Sequence, residues 1–144
     1  MGVATVTRLA RLTALGLARL TALGLSLGLA AGCSDEPPLF GPPTESVCPP
    51  GSTLTYDNFA KPFMEAYCTQ CHHSSLRGEA RMGAPSFHDF DTHQGIKVVK
   101  GHVDQTTASG PAATNTSMPP EDYPAPSLEE REQLGEWIAC GLPQ

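Results

Sequence analysis

The chain has 144 residues, 40% hydrophobic and 17% charged, with nine basic against fifteen acidic side chains and a formal net charge of −6. This length allows one modest core, and the acidic balance argues against a nucleic-acid partner, although an ordinary solvated exterior has the same charge.

Residues 1–32 read as an export signal. Arg8, Arg11 and Arg19 sit among apolar residues, an apolar stretch runs from about Leu20 to Ala31, and the segment ends Leu29-Ala30-Ala31-Gly32-Cys33. Charged, then apolar, then small is the order of a secretory signal, and its last residues resemble a bacterial lipoprotein box with alanine in place of leucine three residues before Cys33. A tandem repeat, Ala10–Leu17 and Ala18–Leu25, is duplicated signal, because two eight-residue copies cannot build a core. A retained transmembrane anchor is the competing reading, but the apolar stretch is short for a bilayer core of roughly 30 Å. Cleavage with acyl chains on Cys33 would supply stable anchoring, and Ser34 directly after it favours the outer membrane over the inner. All fifteen acidic and six of the nine basic residues lie beyond residue 32, a formal charge of −9.

Ser34 to about Val47 carries four prolines and almost nothing apolar. That is the composition of a semi-rigid spacer, with a reach of roughly 40 Å at about 3.1 Å per extended residue. The expected organisation is a signal at 1–32, a lipidated Pro-rich tether at 33–47 and one domain at 48–144.

A helical pattern starts at Tyr56. Asp57 or Asn58 can cap it, Pro62 is tolerable in a first turn, and Phe59, Phe63, Ala66 and Tyr67 fall on or near one face. It runs straight into Cys68-Thr69-Gln70-Cys71-His72, the most specific signal in the chain. Two thiols three positions apart can add across the two vinyl groups on one edge of a porphyrin, and the histidine that follows is then held beneath the iron. This is the attachment signature of a c-type haem. A thiol–disulfide oxidoreductase is the chemical rival, but there the cysteines follow a strand and open a helix whose dipole depresses a thiol pKa; no strand precedes these. Zinc would need a second ligand pair at suitable spacing, and none is present.

A third helical pattern starts at Asp91 or Thr92, includes Ile96, Val98 and Val99, and reaches toward Val103. The last is the clearest: Ser127 and Glu130 form a capping box, Leu128, Leu134, Trp137 and Ile138 an apolar stripe, Gly141 closes it and Pro143 follows. Gly135 in its middle costs about 1 kcal/mol relative to alanine, which a close helix crossing would justify and a merely tolerated glycine would not.

In this order of parts, Cys48 to Pro143 resembles the class I cytochromes c, in particular the small monohaem lipoprotein cytochromes of bacteria. The resemblance implies an all-α fold, a small bundle of three or more helices around one covalently bound haem c, with Cys68 and Cys71 as thioether anchors and His72 as proximal ligand. It puts the sixth ligand at Met118, in Ser117-Met118-Pro119-Pro120, 46 residues after His72. A thioether is a soft neutral donor that raises the reduction potential, and the prolines stiffen its loop. Met64 reads as core and Met82 as a proximal-side residue, while His73, His88, His93 and His102 keep bis-histidine ligation open. Pro85 matches the proline whose carbonyl accepts the proximal imidazole's other N–H in that family, or else shapes a loop. Arg77 and Arg81 would pair with haem propionates, or with Glu79 and solvent; Tyr123 and Trp137 would line the haem or, for Trp137, the core.

Cys48 and Cys140 remain. In an oxidising compartment a leftover pair is most simply a disulfide, here clipping the start of the domain to the end of its last helix, with two free buried thiols as the alternative. The function expected is a membrane-tethered electron carrier and not an enzyme, on the periplasmic side of a bacterial membrane, anchored to lipid through Cys33 and exchanging electrons with a donor and an acceptor protein. A haem sensor or peroxidase-like protein with an open sixth site, and a structural haem subunit of a larger redox complex, are the other readings.

Overall fold

The computed structural model describes residues 39–144, so the expected signal, Cys33 and the first part of the tether lie outside the described residues. Among those residues four α-helices occur: α1 (Lys61–Tyr67), α2 (His93–Val98), α3 (Lys100–Thr107) and α4 (Leu128–Ala139). There is no strand among them, only an isolated antiparallel bridge between Ser109 and Thr114. The described chain is thus helical, with long loops between short helices. None of these helices is long and apolar enough to cross a membrane.

The first helix is capped earlier than the sequence pattern suggests. Thr55 is extended, its side chain accepts from the Asn58 N–H, and the Asn58 side chain accepts from the Thr55 N–H, a reciprocal box. A wide π-type turn, Tyr56–Ala60, then leads into α1, with Pro62 in its first turn where a missing N–H costs nothing. Phe63 and Met64 face inward. The third helical pattern resolves into two helices, because Val99 (φ −120°, ψ 24°) leaves helical geometry between α2 and α3. Ile96, Val99 and Val103 remain buried on either side of that break and join Leu134 and Trp137 in one core.

In α4 the Ser127–Glu130 capping box is present, but the inward face is rotated from the expected stripe. Leu128 is 57% exposed, whereas Arg131, Leu134, Gly135 and Trp137 are buried. At Gly135 a Cβ would stand 2.4 Å from the Ser109 carbonyl oxygen and 2.3 Å from Ser46 Oγ. The glycine is therefore required, and what approaches it is extended chain, not another helix. Tyr67 donates to Glu130 Oε1 at 2.9 Å and ties α1 to α4. Cys48 and Cys140 are bonded, with Cα atoms 4.7 Å apart, and close a loop of sequence separation 92.

Residues 39–47, assigned to the tether by composition, instead lie along the helical domain. Gly41 N–H donates to the Gln105 carbonyl at 2.7 Å, and Gln105 Nε2 returns a bond to the Gly41 carbonyl at 3.1 Å. Asn115 Nδ2 donates to the Pro42 carbonyl at 3.0 Å. Thr44, 1% exposed, gives both its N–H and its hydroxyl to the Asp104 carboxylate. The physical reason composition misleads is that this strap is bound through main chain and hydroxyls, not through apolar side chains. A Cβ on Gly41 would meet Asn115 Oδ1 at 2.0 Å, and that amide is itself held by two bonds from its Nδ2.

Two outcomes are expected. Replacing both Cys48 and Cys140 by serine should lower the unfolding free energy in urea titrations by roughly 2–5 kcal/mol, the scale for opening so long a loop. Gly41→Val should free the strap, seen as faster limited proteolysis within 39–47 while the circular dichroism of the helices is kept.

Candidate functional site

The cysteine motif leaves the C-terminal end of α1. Cys68 is the cap residue, its N–H donating to the Met64 carbonyl at 2.8 Å. The Cys68 carbonyl then accepts from Cys71 N–H at 3.1 Å and His72 N–H at 3.0 Å, so the motif folds back in one tight turn. Cys68 and Cys71 are not bonded to each other. Both thiols, the His72 side chain and Met118 line a single cavity of ≈ 290 Å³, whose remaining wall includes Phe40, Phe90, Val103 and Pro119. That lies near the lower bound of roughly 300 Å³ for small-molecule pockets, and the lining is mostly apolar.

His72 is held on two sides. Its ring stacks on Phe90, centroids 4.4 Å apart and planes 16° from parallel, and its Nδ1 faces the His88 carbonyl oxygen at 3.3 Å. A carbonyl can only accept, so Nδ1 carries the proton and Nε2 keeps the lone pair. Burial holds the His72 pKa below the ordinary histidine value, which keeps the ring neutral. Both conditions are those of a metal-ligating imidazole.

His88 and His102 line the same cavity and approach each other, His102 Nδ1 to His88 Nε2 at 3.2 Å. Burial, then the neighbouring His72 and His102, push the His88 pKa down to about 4. His73 and His93 lie elsewhere: His73 bonds Ser75, and His93 meets the Leu142 carbonyl at 2.8 Å. Met64 is in the core, and Met82 presents its sulfur to Cys71 Sγ at 3.7 Å and to the Tyr123 hydroxyl at 3.1 Å. Trp137 is fully buried in the core and does not line the cavity.

Pro85, Arg81 and Arg77 are engaged within their own loop. The Pro85 carbonyl does not face His72; it accepts from Arg81 Nη2 at 2.6 Å and from the His88 N–H at 3.1 Å, and the carbonyl opposite His72 is that of His88. Arg81 is 4% exposed and fully engaged, donating to the carbonyls of His73, Ala84, Pro85 and His88 and to Asp89 Oδ1, so it has nothing left for a propionate. Arg77 is exposed and folds onto the carbonyls of Ser74 and Leu76. The reason is shared: loops without a ladder leave carbonyls to satisfy, and the nearest guanidinium takes them.

Arg131 is the residue sequence reasoning missed. It is buried, and its Nη1 donates to the carbonyls of Thr107, Asn115 and Met118. The signal was present in its register, three positions from Leu128 and three from Leu134, a cation on the apolar stripe.

Among the described residues no group of three or more His, Cys, Asp or Glu side chains is arranged to hold a metal ion by itself. No protein-family model matches this chain, and no curated protein or solved structure does so.

Cys68 distinguishes between chemistries of the motif. Burial, reinforced by Cys71 and opposed by Arg131, pushes its pKa up to about 12. It also caps a helix C-terminus, where the dipole disfavours a thiolate. A redox-active thiol needs the reverse. In haem-free protein, Cys68 should therefore alkylate more slowly than the same thiol in the unfolded chain, because a raised pKa leaves less thiolate, a loss only partly offset by the greater nucleophilicity of that thiolate. Peptide mapping after timed iodoacetamide exposure measures this, with urea-unfolded protein as the reference.

Proposed function

We propose that the chain is a c-type cytochrome, an electron carrier that holds one haem c covalently through Cys68 and Cys71, with His72 and Met118 as the axial ligands. The observation that carries the reading is the convergence of two unbonded thiols, a neutral imidazole with its Nε2 lone pair free, and two thioethers, Met118 and Met82, on one apolar cavity. The residues present fit the group: two free thiols three residues apart, a nitrogen donor, a soft sulfur donor and aromatic walls. Bound there, the iron supplies one-electron redox chemistry between its ferric and ferrous states.

The protein's own contribution is positioning and exclusion. The His88 carbonyl and the Phe90 ring fix the orientation of His72, and the short turn after α1 keeps the thiols on the same wall. Apolar walls keep water away and so favour the less charged ferrous state. The basis for proposing a carrier is the donor set itself, an imidazole and a thioether that would both be taken up by the iron. With the export signal read from residues 1–32, the proposal places the protein on the periplasmic side of a bacterial membrane, held by lipid on Cys33.

A second ligation is favoured by one observation, the presence of His88 and His102 on the same cavity. Co-expression with haem-attachment machinery should yield protein whose reduced spectrum has a narrow c-type α band and whose pigment survives acidified acetone; colourless material would sink the proposal. The weak long-wavelength ferric band of thioether ligation should vanish in Met118→Ala and persist in His88→Ala and His102→Ala. Loss of ligation in either histidine variant, with Met118→Ala unchanged, would transfer the sixth position to that histidine.

A further inference from the structure

Arg131 is 5% exposed, and one nitrogen, Nη1, gives hydrogen bonds to three main-chain carbonyls: Thr107 at 2.8 Å, Asn115 at 2.8 Å and Met118 at 3.2 Å. Among the described residues no carboxylate comes within ion-pair distance of it. Its neighbour Glu130 turns its carboxylate to Ser127 and Tyr67 instead. A buried cation with no directly paired carboxylate is expensive, and an apolar residue in the same stripe would avoid that cost. Its positive charge is also felt at the Cys68 thiol. The guanidinium thus lies against the loop that carries Met118.

The peptide of Met118 is pinned from both ends. Its carbonyl accepts from Arg131, and its N–H donates to the Thr106 carbonyl at 2.9 Å. The loop around it, Ser109 to Pro126, contains no helix, so these bonds, with those of Ser117 Oγ to the Leu39 and Thr106 carbonyls, fix where the thioether begins. We infer that Arg131 is a positioning residue of the Met118 ligand and puts a positive charge behind the loop that carries it, holding the thioether in place and favouring the ferrous state. This rests on the electron-carrier reading above and adds to it a residue outside the attachment motif.

The experiment compares wild type, Arg131→Lys and Arg131→Gln, each purified with covalent haem and checked for helical content. In Arg131→Gln the reduction potential should fall, the ferric thioether band should weaken, and carbon monoxide should bind the ferrous protein roughly tenfold faster, the scale of one lost charge-assisted hydrogen bond. Arg131→Lys keeps the charge but not the fork, so its carbon monoxide rate should rise similarly while its potential falls less. A merely structural role would not separate the two variants in potential. Folded Arg131→Gln with the wild-type potential, band and carbon monoxide rate would overturn the inference. If neither variant folds, wild type decides: the Arg131 guanidinium protons should exchange slowly and carry a paramagnetic shift in the ferric protein, and fast-exchanging, unshifted protons would overturn it. Wild-type material without covalent haem would instead defeat the electron-carrier reading itself.

Discussion

Two buried guanidiniums organise the parts of this chain that helices do not. Loops 68–92 and 108–127 have almost no ladder partners, and a carbonyl buried without a donor costs about as much as a lost hydrogen bond. Arg81 gathers four carbonyls and a carboxylate on the His72 side, and Arg131 gathers three on the Met118 side. Arginine suits this work because its planar fork offers several donors in fixed directions and stays charged when buried. The helices supply the apolar core, but the shape of the cavity is drawn by main chain collected around two side chains.

This division explains how the site is assembled. The thiols come from the end of α1, the imidazole from the turn that follows, and the thioether from a loop between α3 and α4. No single element presents them. Their relative placement depends on α1 and α4 being tied by Tyr67 and Glu130, and on the disulfide that joins the chain ahead of α1 to the end of α4. Beside His72 the His88 carbonyl serves two donors at once, Arg81 Nη2 at 2.9 Å and His72 Nδ1 at 3.3 Å. A carbonyl shared with a cation is a weaker acceptor for the imidazole than one left to it alone, which moderates how much electron density His72 can give to a metal.

What could be read from the sequence divides along the same line. Periodicity and capping chemistry are local, so α4 with its Ser127–Glu130 box and the helix leading to Cys68 were legible, as was the pairing of Cys48 with Cys140. The break at Val99 was not, because Ile96, Val99 and Val103 stay buried whether or not the helix bends between them. Carbonyl acceptors carry no sequence signature, and so the proline expected opposite His72 was displaced by His88, three residues on. Charge is commonly taken as a sign of exposure, and that habit hid Arg81 and Arg131, although Arg131 stood in register with Leu128 and Leu134. The thiols, His72 and Met118 were legible as candidates; that they share one cavity is information only the fold carries.

The docked segment from Leu39 to Thr44 changes the mechanical picture of the protein. If Cys33 carries lipid as proposed, the chain from there to Leu39 has a reach of at most about 20 Å when fully extended. Leu39 and Phe40 themselves border the cavity. On the electron-carrier proposal, a haem in that cavity would then stay within a short reach of the bilayer, and a partner fixed in or on the same membrane would meet it far more often than one diffusing freely through the surrounding compartment.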